Sequence, residues 1–130
     1  MKQTITFLIL TLLTFTACNE KVKYATNSKM EKTIDTLDFK CGYSEVNGLK
    51  MYYEIYGQGK PLVLIHGGGS TIQSNFEKVI PLFSKNRKVI AVELQAHGRT
   101  SDRNADLSFE QDADDIATLL KNLKIDRADF

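Results

Sequence analysis

The sequence predicts an α/β fold, an antiparallel hairpin followed by a parallel β-α-β-α-β run that forms an incomplete sheet. Three observations predict it. Asn47-Gly48 stands between two strand-like runs, two short apolar stretches occupy residues 62–65 (LVLI) and 89–92 (VIAV), and a capped amphipathic segment follows Ser108. Asn-Gly accepts the positive φ angles of a tight type I′ turn, and unbroken apolar runs suit parallel strands covered on both faces.

In chain order, the first element is a leader. Lys2 precedes an uncharged run over residues 4–17 that is rich in Ile, Leu and Phe. Its fourteen residues fall short of the roughly 20 needed to cross a bilayer as a helix, so a cleaved secretory signal peptide over residues 1–17 is expected. Thr16-Ala17-Cys18-Asn19 resembles a bacterial lipoprotein lipobox, with Phe15 where Leu is usual. That resemblance implies a lipid on Cys18 and an exported chain anchored to a membrane of the bacterial cell envelope. The alternatives are an ordinary cut after Ala17, or a disulfide between Cys18 and Cys41 in an oxidising compartment. Residues 18–42 are polar and aperiodic and read as a tether, with a loosely packed strand around residues 34–39 as the alternative.

The third segment, residues 43–130, carries the fold. Residues 43–46 and 49–56 flank the turn. The second strand alternates, placing Leu49, Met51, Tyr53 and Ile55 on one face and Lys50, Tyr52, Glu54 and Tyr56 on a wet one. Residues 57–61 (GQGKP) break it before the apolar run at 62–65. Phe76, Val79, Ile80 and Phe83 have helical spacing within residues 74–86, where Pro81 either opens a final short helix or kinks the first. Ser108 and Gln111 have the spacing of a capping box. Phe109, Ile116, Leu119, Leu120 and Leu123 form one stripe, with Asp112, Asp114 and Asp115 read as a solvated helix start. Residues 128–130 open a further strand, and an incomplete sheet exposes strand edges.

Composition narrows function. The 130 residues are 42% hydrophobic and 25% charged, which excludes collagen, coiled coil and low-complexity disorder. Lys and Arg number 17 against 16 Asp and Glu, so no basic excess exists to neutralise a phosphate backbone, and nucleic acid is not an expected partner. His66-Gly67-Gly68-Gly69-Ser70 directly follows an apolar strand. Glycines let backbone N–H groups approach an anion closely, either a phosphate or the oxyanion formed when a carbonyl is attacked. A Walker loop fails because no Lys follows Gly69. A dinucleotide fingerprint fails at Ile72, although Glu93 imitates the ribose-binding acid, and a loop that merely lets strand and helix pack closely is the plain alternative.

Residues 43–130 resemble the N-terminal part of an α/β-hydrolase-fold enzyme. The family's strand and HG loop match PLVLIHGGGS at 61–70. Its D-x-x-G-x-G-x-S turn matches ELQAHGRT at 93–100, with Glu93 in place of Asp and Ala96 in place of the first Gly. The resemblance implies hydrolysis of an ester or related small-molecule acyl substrate by a Ser nucleophile, with His as base and an acid, and no cofactor. It assigns an oxyanion-hole N–H to Gly68, with Gly69 as second choice, and support of the loop to His66 and Gly67. The family's GxSxG elbow does not occur in the 130 residues, so the chain is expected to be inactive alone. His97 is expected at the site rim, and no metal site is expected. Other readings are a short exported lipoprotein that binds an anion or partner through the glycine loop, or a nucleotide-binding domain.

Overall fold

A computed structural model of the protein describes residues 37–130. The expected signal peptide, Cys18 and most of the tether lie outside the described residues. The elements are β1 (Phe39–Val46), β2 (Leu49–Tyr56), β3 (Lys60–Ile65), α1 (Ile72–Phe76), α2 (Ile80–Phe83), β4 (Arg87–Val92) and α3 (Phe109–Asn122). They form a four-stranded sheet in the order β1-β2-β4-β3. The hairpin pairs antiparallel, β2 pairs antiparallel with β4, and β3 runs parallel to β4. A parallel bridge joins Leu62 to Asp129, so the strand expected at 128–130 begins on the far side of β3. There Arg87 clamps three segments, donating to the carbonyls of Lys60 and Pro61 at 3.0 Å and pairing with Asp129 at 2.5 Å.

Asn47 and Gly48 have φ of 45° and 81°, the left-handed pair that the turn requires. Three expectations need correction and one alternative is decided. β1 starts at Phe39, so residues 39–42 of the expected tether are strand, because Phe39 stacks on Tyr56 across the hairpin with ring centroids 4.9 Å apart. Of the two readings of residues 74–86, the structure has the one in which Pro81 opens a final short helix. α1 ends at Phe76, and Pro81 sits in the first turn of α2, where its missing N–H costs nothing. The capping box at Ser108 is half formed: Ser108 accepts the Gln111 N–H at 3.1 Å, but the Gln111 side chain reaches Asp115 at 3.0 Å instead. Phe109, on the stripe by spacing, is 89% exposed, whereas Ile116 and Leu119 are buried.

Both faces of the sheet are covered, which corrects the expected wet face of β2. One face packs Val46, Leu49, Met51, Val63, Ile90 and Val92 against Ile116 and Leu119 of α3. The other packs Tyr52, Tyr56, Val89 and Ala91 against Ile72 and Ile80 of the two short helices. Tyr52 and Glu54 are buried there with Tyr56. Asp115 is not solvated either. It is fully buried and ion-paired with Arg103, and it accepts from Asn47 Nδ2 at 2.9 Å, so the hairpin turn is tied to α3. Among the described residues no helix is long and apolar enough to cross a membrane.

Candidate active-site loop

The glycine loop leaves the C-terminal end of β3 and enters α1. Thr71 caps that helix reciprocally with Ser74: the Thr71 hydroxyl accepts the Ser74 N–H at 3.2 Å and the Ser74 hydroxyl accepts the Thr71 N–H at 2.8 Å. Gly67, Gly68 and Gly69 are exposed. Gly69 has φ +69°, which favours glycine, and a Cβ on Gly67 or Gly68 would meet nothing within 4 Å.

Two histidines fix this loop, and their partners fix their tautomers. His66 is buried, and its Nε2 accepts the Leu94 N–H at 3.1 Å. An imidazole that accepts at Nε2 carries its proton on Nδ1, which donates to the Gly67 carbonyl at 2.8 Å. His97 repeats the pattern one layer out. Its Nε2 accepts the Gly69 N–H at 3.0 Å while Nδ1 donates to the Gln95 carbonyl at 2.7 Å, and the two rings lie 4.9 Å apart. His66 and Gly67, the residues expected to support the loop, are joined by the bond from Nδ1 to the Gly67 carbonyl. Gly69, the second-choice donor, already spends its N–H on His97, whereas the Gly68 N–H has no protein partner among the described residues.

Beneath the loop lies a buried polar cluster that sequence reading did not anticipate. Arg99 forms ion pairs with Glu93 at 2.6 Å and with Glu54 at 3.0 Å, and its guanidinium stacks 3.9 Å above the Tyr52 ring. Glu54 also accepts from the phenols of Tyr52 at 3.0 Å and Tyr56 at 2.5 Å, and from the Gln73 side chain at 3.1 Å. Glu93 accepts the Ile72 N–H at 3.4 Å and the Arg99 N–H at 2.5 Å. Burial pushes the Glu93 carboxyl up, but bonds and charge from Arg99 prevail and hold it below its ordinary range. Burial raises the Tyr52 phenol, helped by its hydrogen bond with Cys41 and the charge of Glu54. The nucleotide reading of Glu93 fails here, because both oxygens of this fully buried carboxylate are engaged. The one sequence signal for the cluster was Tyr52-x-Glu54-x-Tyr56, three polar-tipped side chains on a single strand face.

Among the described residues no set of three or more His, Cys, Asp or Glu could hold a metal ion. The arrangement can present backbone donors, the Gly68 N–H among them, to an oxyanion at the C-terminal end of a parallel strand, where ligands of open α/β sheets bind.

The fold and loop define a class. The described residues form an incomplete four-stranded α/β sheet of the α/β-hydrolase fold. The chain is 33% identical over 72 residues to 2-hydroxy-6-oxo-6-(2'-aminophenyl)hexa-2,4-dienoic acid hydrolase of Metapseudomonas resinovorans, a match covering 54% of this chain and 24% of that protein. It is 35% identical over 87 residues to 2-hydroxymuconate semialdehyde hydrolase of Pseudomonas sp. strain CF600, covering 64% and 30%. Among solved structures it is similar to the epoxide hydrolase CorEH, with TM-score 0.66 and 27% identity over 70% of this chain and 32% of that one. A meta-cleavage product hydrolase, CumD, gives TM-score 0.63 and 30% identity over 67% and 33%. The chain spans less than a third of the length of the two curated relatives. No family model matches the sequence.

Proposed function

We propose that this chain supplies the oxyanion-stabilising loop of a hydrolase acting on a small-molecule ester or related acyl compound, with the Gly68 N–H as its donor. One observation carries the reading: the exposed Gly68 N–H after β3 has no protein partner among the described residues, whereas the Gly69 N–H beside it is taken by His97. The names of the similar proteins, hydrolases of hydroxy-oxo-dienoic acids and of epoxides, support hydrolysis as the reaction class. The Ser of a GxSxG elbow, the acid and the base His would come from sequence beyond these 130 residues. We further propose that a lipid on Cys18 holds the domain at an envelope membrane.

Gly68→Pro tests the donor, because proline deletes the N–H at an exposed position where an added Cβ meets nothing. Valine would be a poor probe, since it keeps the N–H. The 130-residue chain alone should not turn over p-nitrophenyl acetate above buffer. In a product extended through the downstream coding sequence into a GxSxG, Gly68→Pro should lower kcat by about 10²- to 10³-fold, the effect of losing one oxyanion donor. An unchanged kcat would remove Gly68 from the mechanism. Intact mass of the membrane-extracted chain should show a diacylglyceryl adduct on Cys18, and an unmodified thiol there would end the anchor proposal.

A further inference from the structure

The hydrogen bond from Gly69 to His97 does more than tidy the loop. The ring has one acceptor, Nε2, because Nδ1 donates to Gln95. If the ring gains a proton, Nε2 becomes a donor and faces the Gly69 N–H at a donor–donor separation of 3.0 Å, which the two groups cannot keep. The peptide linking Gly68 to Gly69 joins two glycines and is exposed, so it can turn over without driving a side chain into its surroundings. Turned over, it offers the Gly68 carbonyl to the new Nε2–H and points the Gly69 N–H outward. The Gly68 N–H belongs to the preceding peptide and keeps its direction.

We propose that His97 is the positioning residue of the glycine loop: as neutral imidazole it draws in the Gly69 N–H and leaves Gly68 as the outward donor, and on protonation it releases Gly69 as a second one. Two elements bring titratable groups to this ring: the end of β3 brings His66, and α3 brings Asp112, whose carboxyl also feels Arg103. Burial and then the charge of Asp115 raise the Asp112 carboxyl, while His97, Arg103 and His66 pull it down, so Asp112 and the two rings belong to one electrostatic neighbourhood. His66 is engaged at both nitrogens by Leu94 and Gly67 and makes no bond to Gly69, so its protonation would disturb a different contact.

The consequence for hydrolysis rests on the oxyanion reading above, but the test does not, because it reads the amides of the 130-residue chain directly. By NMR of the labelled chain between about pH 8 and about pH 5, the Gly69 amide should shift with the midpoint of the His97 ring nitrogens. After correction for the intrinsic pH dependence of exchange, its hydrogen exchange should quicken by about tenfold, the loss of one hydrogen bond. His97→Gln keeps an acceptor oxygen without a titrating ring, and should hold Gly69 protected at both pH values. A Gly69 amide that stays protected through the His97 titration overturns the proposal, as does one that follows the midpoint of His66 or Asp112. The wild-type titration decides even if the variant fails to fold.

Discussion

The two faces of the sheet are built on different principles. The face under α3 has an apolar centre, where Leu49, Met51, Val63, Ile90 and Val92 meet Ile116 and Leu119, and its one buried ion pair, Asp115 with Arg103, ties α3 to the hairpin turn. The face under α1 and α2 buries Glu54 and Glu93 against the single guanidinium of Arg99. Ion pairs removed from water often contribute little net stability, so this second face is an expensive way to hold a sheet together. What it does hold is the entry to α1. Ile72 and Gln73 bond to Glu93 and Glu54, and Gln73 also accepts from Arg99 at 2.8 Å, fixing the segment that follows the glycine loop. The apolar face supplies cohesion and the polar face supplies position.

Substitution on each face sharpens that contrast. Leu119→Ala empties a fully buried site on the apolar face and should cost about 3–4 kcal/mol in urea unfolding, by the same amount at pH 7 and pH 4. Arg99→Met strands two buried carboxylates and should cost about 3 kcal/mol at pH 7, the lower end for such a loss because the Arg99 side chain is 37% exposed. Unlike that of Leu119→Ala, this cost should depend on pH. Glu93 has a depressed folded-state value, so its stabilising contribution is present above the ordinary 4.5 and is lost as pH falls through that lower value. Removing Arg99 removes the depression, so the gap between wild type and Arg99→Met should narrow on acidification. A gap that stays constant with pH would mean that the polar face acts by packing alone.

The same contrast governs what was legible beforehand. The apolar runs at 62–65 and 89–92 and the Asn47-Gly48 turn announce β3, β4 and the hairpin, because strand burial and turn geometry are local properties of the chain. His66 and the glycine loop were legible as a motif. Glu54 and Asp115 were not: each looks solvent-facing until a partner arrives, Arg99 forty-five positions after Glu54 and Arg103 twelve before Asp115. Nothing in the spacing around either acid names its guanidinium. His97 was placed at the rim, but its bond to Gly69 joins loops twenty-eight residues apart, and that bond separates Gly68 from Gly69 as donors.

The smallest effect concerns the loop after β4, where the polar face meets the site. Ala96 has φ +60° in an exposed turn, a conformation that costs a non-glycine residue about 1–2 kcal/mol. Ala96→Gly relieves that cost but gives the unfolded chain about 0.5–1 kcal/mol more conformational freedom, so the net gain should be about 0.5 kcal/mol. For a domain of this size that raises Tm by roughly 2–4 °C. Gly98→Ala should move Tm the other way, because Gly98 has φ +53° and a Cβ there would run into the carboxylate of Glu93. Opposite shifts from two neighbouring exchanges would locate the strain at Ala96 and the tight fit at Gly98. If Ala96→Gly lowers Tm instead, the turn that carries His97 to Gly69 does not hold Ala96 in the left-handed region, and the contrast between a positioned face and a merely cohesive one loses its anchor.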